Sequence, residues 1–105
     1  MTDAPIVNVT REGDSVTIAS GGLLDLTNSQ GLERELKQAT ETSERVVVDF
    51  RDAVFIDTAV VQCLASAAVA LRKRKARLCV RVKKGSHPEH VITVLGFREL
   101  MDVED

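Results

Sequence analysis

Four groups of residues could carry chemistry in this sequence. Asp57-Thr58 sets a hydroxyl between an apolar burst, Val54-Phe55-Ile56, and the start of a helical stripe. Free N–H groups at a helix N-terminus stabilise a phosphate placed there, which makes the start of this helix, at Thr58, a candidate anion site. An ordinary helix cap accounts for the same two residues, since Asp and Thr are both good N-caps. His87 and His90 stand three apart with Glu89 between them. Such a pair could share one metal ion, but no third and fourth ligand lie near, and the plainer reading is a polar helix start with exposed imidazoles. Cys63 and Cys79 are too far apart for a CxxC motif and sit in apolar segments, where they should pack as small hydrophobes.

The fourth group is basic. Arg72, Lys73, Arg74, Lys75, Arg77, Arg81, Lys83 and Lys84 are eight of the fourteen lysines and arginines, with no acid among them. A nucleic-acid patch would look like this. So would cations at the C-terminal turn of a helix followed by the wet face of a strand. Only three aromatic residues are present, all Phe, so stacking platforms for single strands are lacking and the second reading is favoured.

Whole-chain composition agrees. The chain has 105 residues, 44% of them hydrophobic, and a net charge of −2. This is a globular composition with length for one core. Its charge gives no general pull toward nucleic acid or anionic membrane. Apolar runs stay far short of the ~20 residues of a membrane span, and Met1-Thr2-Asp3-Ala4-Pro5 lacks the basic head and apolar stretch of a signal peptide. A cytoplasmic protein without membrane insertion is expected. There is no Gly-x-Ser-x-Gly elbow and no glycine-rich phosphate loop, so no catalytic residue, cofactor or metal is assigned.

Periodicity supplies the elements that must position these groups. Pro5 to Thr10 and Ser15 to Ala19 alternate around Gly13-Asp14 and predict an antiparallel hairpin. Gly21-Gly22 reads as a break. Asn28-Ser29 caps a helix to about Thr40, with Leu32, Leu36 and Ala39 inward. Val46-Val47-Val48 is a β-branched run suited to a central strand covered on both faces. After Asp57-Thr58 a long helix runs to about Lys73, with Val61, Leu64, Ala65, Ala68 and Leu71 buried. Arg77 to Lys83 alternates as a strand with Leu78, Val80 and Val82 on one side and Cys79 on a wet face. Ser86 and Glu89 have capping-box spacing for a third helix whose stripe is Val91, Val94 and Leu95. Gly96 stops it, and Phe97, Leu100 and Met101 close over the core. The expected fold is α/β: a mixed sheet with an N-terminal hairpin followed by βαβα units, helices packed on the sheet.

In this order the segments resemble the STAS domain, and most closely the small anti-sigma factor antagonists, over about residues 5–103 of a single domain spanning 1–105. Gly22-Leu23-Leu24-Asp25 is similar to the family's Gly-x-Leu-Asp, and Val46-Val47-Val48-Asp49-Phe50 to its central strand. Val54-Phe55-Ile56-Asp57-Thr58 resembles its Phe-Ile-Asp-Ser signature, and Val94-Leu95-Gly96-Phe97 its closing segment. The resemblance implies a non-enzymatic partner-switching protein. Thr58 would be the phosphoacceptor of an anti-sigma factor with kinase activity, and Asp25, Asp57, Thr58 and Ala59 would belong to the docking surface. The family usually continues Ser-Gly-Leu-Gly where this chain has Ala59-Val60-Val61-Gln62, a departure that brings it nearer the scaffold members. A STAS subunit that docks constitutively, in a stressosome scaffold or a transporter complex, is the alternative. A nucleotide-hydrolysing enzyme is a third class, without a catalytic constellation to support it.

If the basic run is a helix end plus a strand face, duplex DNA binds weakly. Competition titrations should show discrimination between sequences well below the ~10³-fold of specific binders.

Overall fold

The structure, a computed structural model, describes residues 7–25 and 27–105. Strand β1 (Val7–Glu12) turns at Gly13 into β2 (Ser15–Ser20), and the two pair antiparallel with Val9 opposite Ile18. The expected hairpin is therefore present, although its first two predicted residues, Pro5 and Ile6, lie outside the described residues. Helix α1 (Gln30–Thr42) leads to β4 (Arg45–Asp49), α2 (Thr58–Lys73) to β6 (Leu78–Arg81), and α3 (His87–Val94) with a 3-10 turn (Phe97–Glu99) to β7 (Asp102–Glu104). The main sheet has the order β1-β2-β4-β6-β7, with every pair after the hairpin parallel. Two further strands, β3 (Gly22–Leu24) and β5 (Ala53–Ile56), form a separate parallel pair. The mixed α/β fold expected from the sequence is what the chain adopts.

One face of the main sheet makes the core. Val16 and Ile18 of β2, Val46 and Val48 of β4, and Leu78 and Val80 of β6 join Leu32, Leu36 and Ala39 of α1. The buried row of α2 is Val60, Val61, Leu64, Ala67, Ala68 and Leu71, close to its predicted stripe. Its alanines leave room for the helix to lie near the sheet. The central place of β4 is as expected, and Val46, Val47 and Val48 are all buried, so the strand is covered on both faces. Val47 is buried outside the core cluster, in a register row between Thr17 and Cys79 on the neighbouring strands.

Three expectations are corrected. Cys79 is buried, not on a wet face, because β7 adds a strand beside β6 and flanks it. In α3 the buried residues are Pro88 and Ile92, while Val94 and Leu95 are exposed. The apolar run of α3 is continuous from Val91 to Leu95 apart from Thr93, so periodicity does not choose the inward angle; docking on β5 does. Strands β3 and β7 are absent from the sequence reading. Each has three residues, too few to alternate, and β7 is acidic. Arg77 and Arg81 hold it through Asp102 at 2.9 Å and Glu104 at 3.0 Å.

The basic run divides by position. Arg77 and Arg81 make those two ion pairs. The Arg74 guanidinium donates to the carbonyls of Thr40 and Ser43, closing the C-terminal end of α1. Arg72, Lys73 and Lys75 remain at the end of α2, and Lys83 and Lys84 lie beyond the far end of β6. The two clusters are thus separated by the length of a four-residue strand, about 13 Å.

Gly21 is where the chain leaves the main sheet. A Cβ at this position would lie 3.0 Å from Asp52 Cβ and 3.1 Å from its carbonyl oxygen. One of these neighbours is backbone, so the crowding cannot relax by a rotamer change alone. Gly21→Ala should lower unfolding free energy by ~1–3 kcal/mol, in the range of overpacking substitutions, as read by urea denaturation.

Candidate functional site

The site forms where β3 and β5 end side by side. Leu23 is in register with Phe55, and Leu24 with Ile56. The Gly22 N–H donates to the Asp52 carbonyl at 3.0 Å, and the Asp57 N–H donates to the Leu24 carbonyl at 3.1 Å. Parallel pairing thus brings Asp25 and Asp57 out of neighbouring strands at the same end. Residues 32 apart in sequence become one surface.

Each loop is held locally. The Asp25 carboxylate accepts the Thr27 N–H at 2.8 Å and the Thr27 hydroxyl. Those bonds favour the charged form, so the Asp25 pKa is lowered, chiefly by the Thr27 hydroxyl. Asn28 expected as part of a helix cap instead ties the loop back to β3. Its Oδ1 accepts the Asp25 N–H at 2.9 Å and its Nδ2 donates to the Leu23 carbonyl at 2.8 Å. Ser29 takes the N-cap position of α1 without a side-chain capping bond.

Asp57 is the N-cap of α2. Its backbone is extended, at φ −91° and ψ 175°, and its carboxylate accepts the Val60 N–H at 3.1 Å. Thr58 is the first helical residue and is exposed, while Ala59 is half-buried. The hydroxyl stands at the positive end of a 16-residue helix, where added negative charge is favoured. Val60, which stands where the resembled pattern has glycine, is buried in the core. Its extra bulk points inward. At the surface the departure from that pattern is confined to Ala59 and the exposed Gln62.

Two residues lie elsewhere than their place in the sequence suggests. Asp52 is five positions before Asp57. It precedes β5 whereas Asp57 follows it, about 16 Å of extended chain apart. Asp52 instead lines a 520 Å³ cleft with Asp49, Arg51, Val82, Lys83, Lys84 and Asp105. His87 is not an exposed imidazole. It is half-buried, its Nδ1 accepts the Ile56 N–H at 3.2 Å, and its ring stacks on Phe55 with centroids 4.4 Å apart. His90 is exposed as expected. No cluster of three or more potential metal ligands occurs among the described residues. Leu23 and Val54, 61% and 67% exposed, and Phe55 give the β3–β5 pair an apolar outer surface. An apolar triplet reads as buried in sequence, and only its pairing in a two-stranded sheet shows that one side is open.

Comparison with known proteins places the fold. A family model described as "Mlab, STAS domain" matches residues 7–102, and the chain belongs to the STAS domain family. No curated protein sequence matches it. Among solved structures, the chain is similar to an anti-sigma factor antagonist from Mycobacterium paratuberculosis, with a TM-score of 0.85 at 16% identity over 96% of this chain and 86% of that one. It is also similar to the antagonist SpoIIAA in its unphosphorylated form, with a TM-score of 0.77 at 15% identity, covering 93% and 87% of the two chains. The phosphorylated form of the Bacillus cell fate determinant SpoIIAA gives 0.74 at 15% identity, covering 93% and 90%. At these identities the likeness is one of fold: an anti-sigma factor antagonist-like STAS fold.

Removing the cap tests the local account of the site. Asp57→Ala should destabilise the chain by ~1 kcal/mol, the usual cost of losing an N-cap carboxylate. Asp57→Ser should recover most of it in denaturant titrations, because serine also accepts from the first helical turn.

Proposed function

We propose that this chain is a partner-switching protein of the anti-sigma factor antagonist type. In this reading it is one STAS domain over residues 1–105, acting in the cytoplasm, without enzymatic activity or cofactor of its own. Its partner is an anti-sigma factor with kinase activity, which docks on Asp25, Asp57, Thr58 and Ala59 and phosphorylates Thr58. It neither reads nucleic acid directly nor inserts into a membrane. No helix among the described residues is long and apolar enough to cross one.

The observation that carries the reading is the exposed Thr58 hydroxyl on the first turn of α2, beside the capping carboxylate of Asp57. A phosphate there adds about −1.5 to −2 charges and three acceptor oxygens. The fold tolerates it, since the group stays in solvent at the positive end of a helix. A docked partner meets it beside Asp25 and Asp57, and juxtaposed like charge within an interface costs several kcal/mol. Phosphorylation therefore releases the kinase without unfolding the antagonist.

One observation favours a second reading, constitutive docking in a scaffold or transporter complex. Ala59 removes the second hydroxyl of the resembled pattern at a half-buried position beside Thr58. The two readings separate by calorimetric titration of the candidate kinase with Thr58→Ala, Thr58→Glu and phosphorylated chain. The switch requires all three to stay folded, Thr58→Ala to bind, and the phosphorylated chain to bind at least tenfold more weakly. Equal affinities for Thr58→Ala and phosphorylated chain leave constitutive docking as the better account.

A further inference from the structure

We propose that His87 is a proton-operated clasp that sets the corner between β5 and α2. The proposal rests on the reading of Thr58 above only for its consequence at docking; the clasp itself belongs to the isolated chain.

Among the described residues, strand β5 has a strand partner on one side alone, since β3 and β5 form a two-stranded sheet. On that side the Asp57 N–H reaches the Leu24 carbonyl. The N–H of Ile56, a fully buried residue, is directed to the other edge, where α3 packs, and donates to His87 Nδ1 at 3.2 Å. An imidazole nitrogen accepts a hydrogen bond only when it carries no proton, so this bond selects neutral histidine with its proton on Nε2. When a second proton binds, both ring nitrogens are donors. No flip of the ring then restores an acceptor, and the Ile56 N–H faces another N–H. Stacking on Phe55 at an interplanar angle of 19° holds the ring over β5 in either state. The change is thereby concentrated on the Ile56 amide, one residue before the cap of α2.

Among the described residues, the charged groups around the clasp are few. Strand β5 carries none within Ala53–Ile56, and Asp57 follows it with its carboxylate on the Val60 N–H. On α2 the charged side chains, Arg72 and Lys73, are in the last turn, far from this corner, and the Cys63 thiol has its pKa raised, first by burial. On α3 and the 3-10 turn, Glu89 accepts the Gly85 N–H and lies 3.8 Å from Arg98, which also donates to Thr93. Glu99 and His90 are exposed. His90 is the other imidazole on the same helix, so the test is run in a His90→Gln background.

The test follows backbone amides by NMR between about pH 8 and about pH 5, the interval in which histidines titrate. In the clasped chain the Ile56 and Thr58 amides should move with the same midpoint as the His87 ring protons. Exchange at the Ile56 amide, corrected for its intrinsic pH dependence, should be about fivefold faster at the acid end, the factor that one net hydrogen bond supplies. His87→Asn places a carbonyl oxygen, an acceptor that does not titrate, near the Nδ1 position. It should keep the slow exchange and lose the pH transition. His87→Leu removes the acceptor and should exchange fast at every pH. Should the leucine variant fail to fold, parent and His87→Asn decide alone. A parent whose Ile56 and Thr58 amides do not follow the His87 ring overturns the clasp, as does a transition that survives in His87→Asn. Because no kinase is used, failure of the clasp leaves the phospho-switch standing, and failure of the switch leaves the clasp.

Discussion

The molecule depends on a short parallel pairing outside its main sheet. Strand β3 meets β5 through only a few backbone bonds, among them Gly22 N–H to the Asp52 carbonyl and Asp57 N–H to the Leu24 carbonyl. Without that pairing the loop bearing Asp25 and the start of α2 would have no reason to meet. The close approach of Gly21 to Asp52 and the positive φ of Gly22, +79°, let the chain leave β2 and begin β3 after a single residue. Glycine is the residue without steric cost in that conformation. The candidate site is therefore set by backbone geometry several residues before any of its side chains.

The same pairing fixes the first turn of α2 in place. Its N-terminus is anchored on both sides of Asp57, by the backbone bond to β3 and by the carboxylate on Val60 N–H. Its length is anchored by a buried row from Val60 to Leu71. Stability thus lies in the core and the cap, while Thr58, at the seam between them, contributes its side chain to neither. A residue so placed can change charge at little cost to folding, because the helix N-terminus favours the anion and solvent screens it.

Charge elsewhere has been absorbed by the fold. Arg74 satisfies carbonyls at the end of α1, which has no basic residue in its own last turn. Arg77 and Arg81 bind the short acidic β7 to the sheet edge. Surface ion pairs of this kind are individually weak. Their use here is to give register to a strand whose three residues hold few apolar contacts. The core contact at this edge comes from Met101, just before β7, which is buried, and from the partly buried Val103.

The sequence by itself determined the hairpin, the three helices, the central β-branched strand and the hydroxyl at the start of α2. Each rests on local periodicity or on capping residues, which act within a few positions along the chain. The segments resembling STAS domains, taken in order, also made the family legible. Tertiary structure decided the rest. Strands β3 and β7 exist because a distant partner offers backbone bonds, a cause that no three-residue window contains. The inward angle of α3 was chosen by β5, which made Ile92 core and left Val94 in solvent. Asp25 and Asp57 became neighbours, and Asp52 and Asp57 did not, because strands convert sequence distance into length along one axis and pairing erases it across the other. The role of His87 was likewise invisible in its spacing from His90. It follows from the edge of a strand 31 residues away, whose outward amide needs an acceptor that only folding could bring.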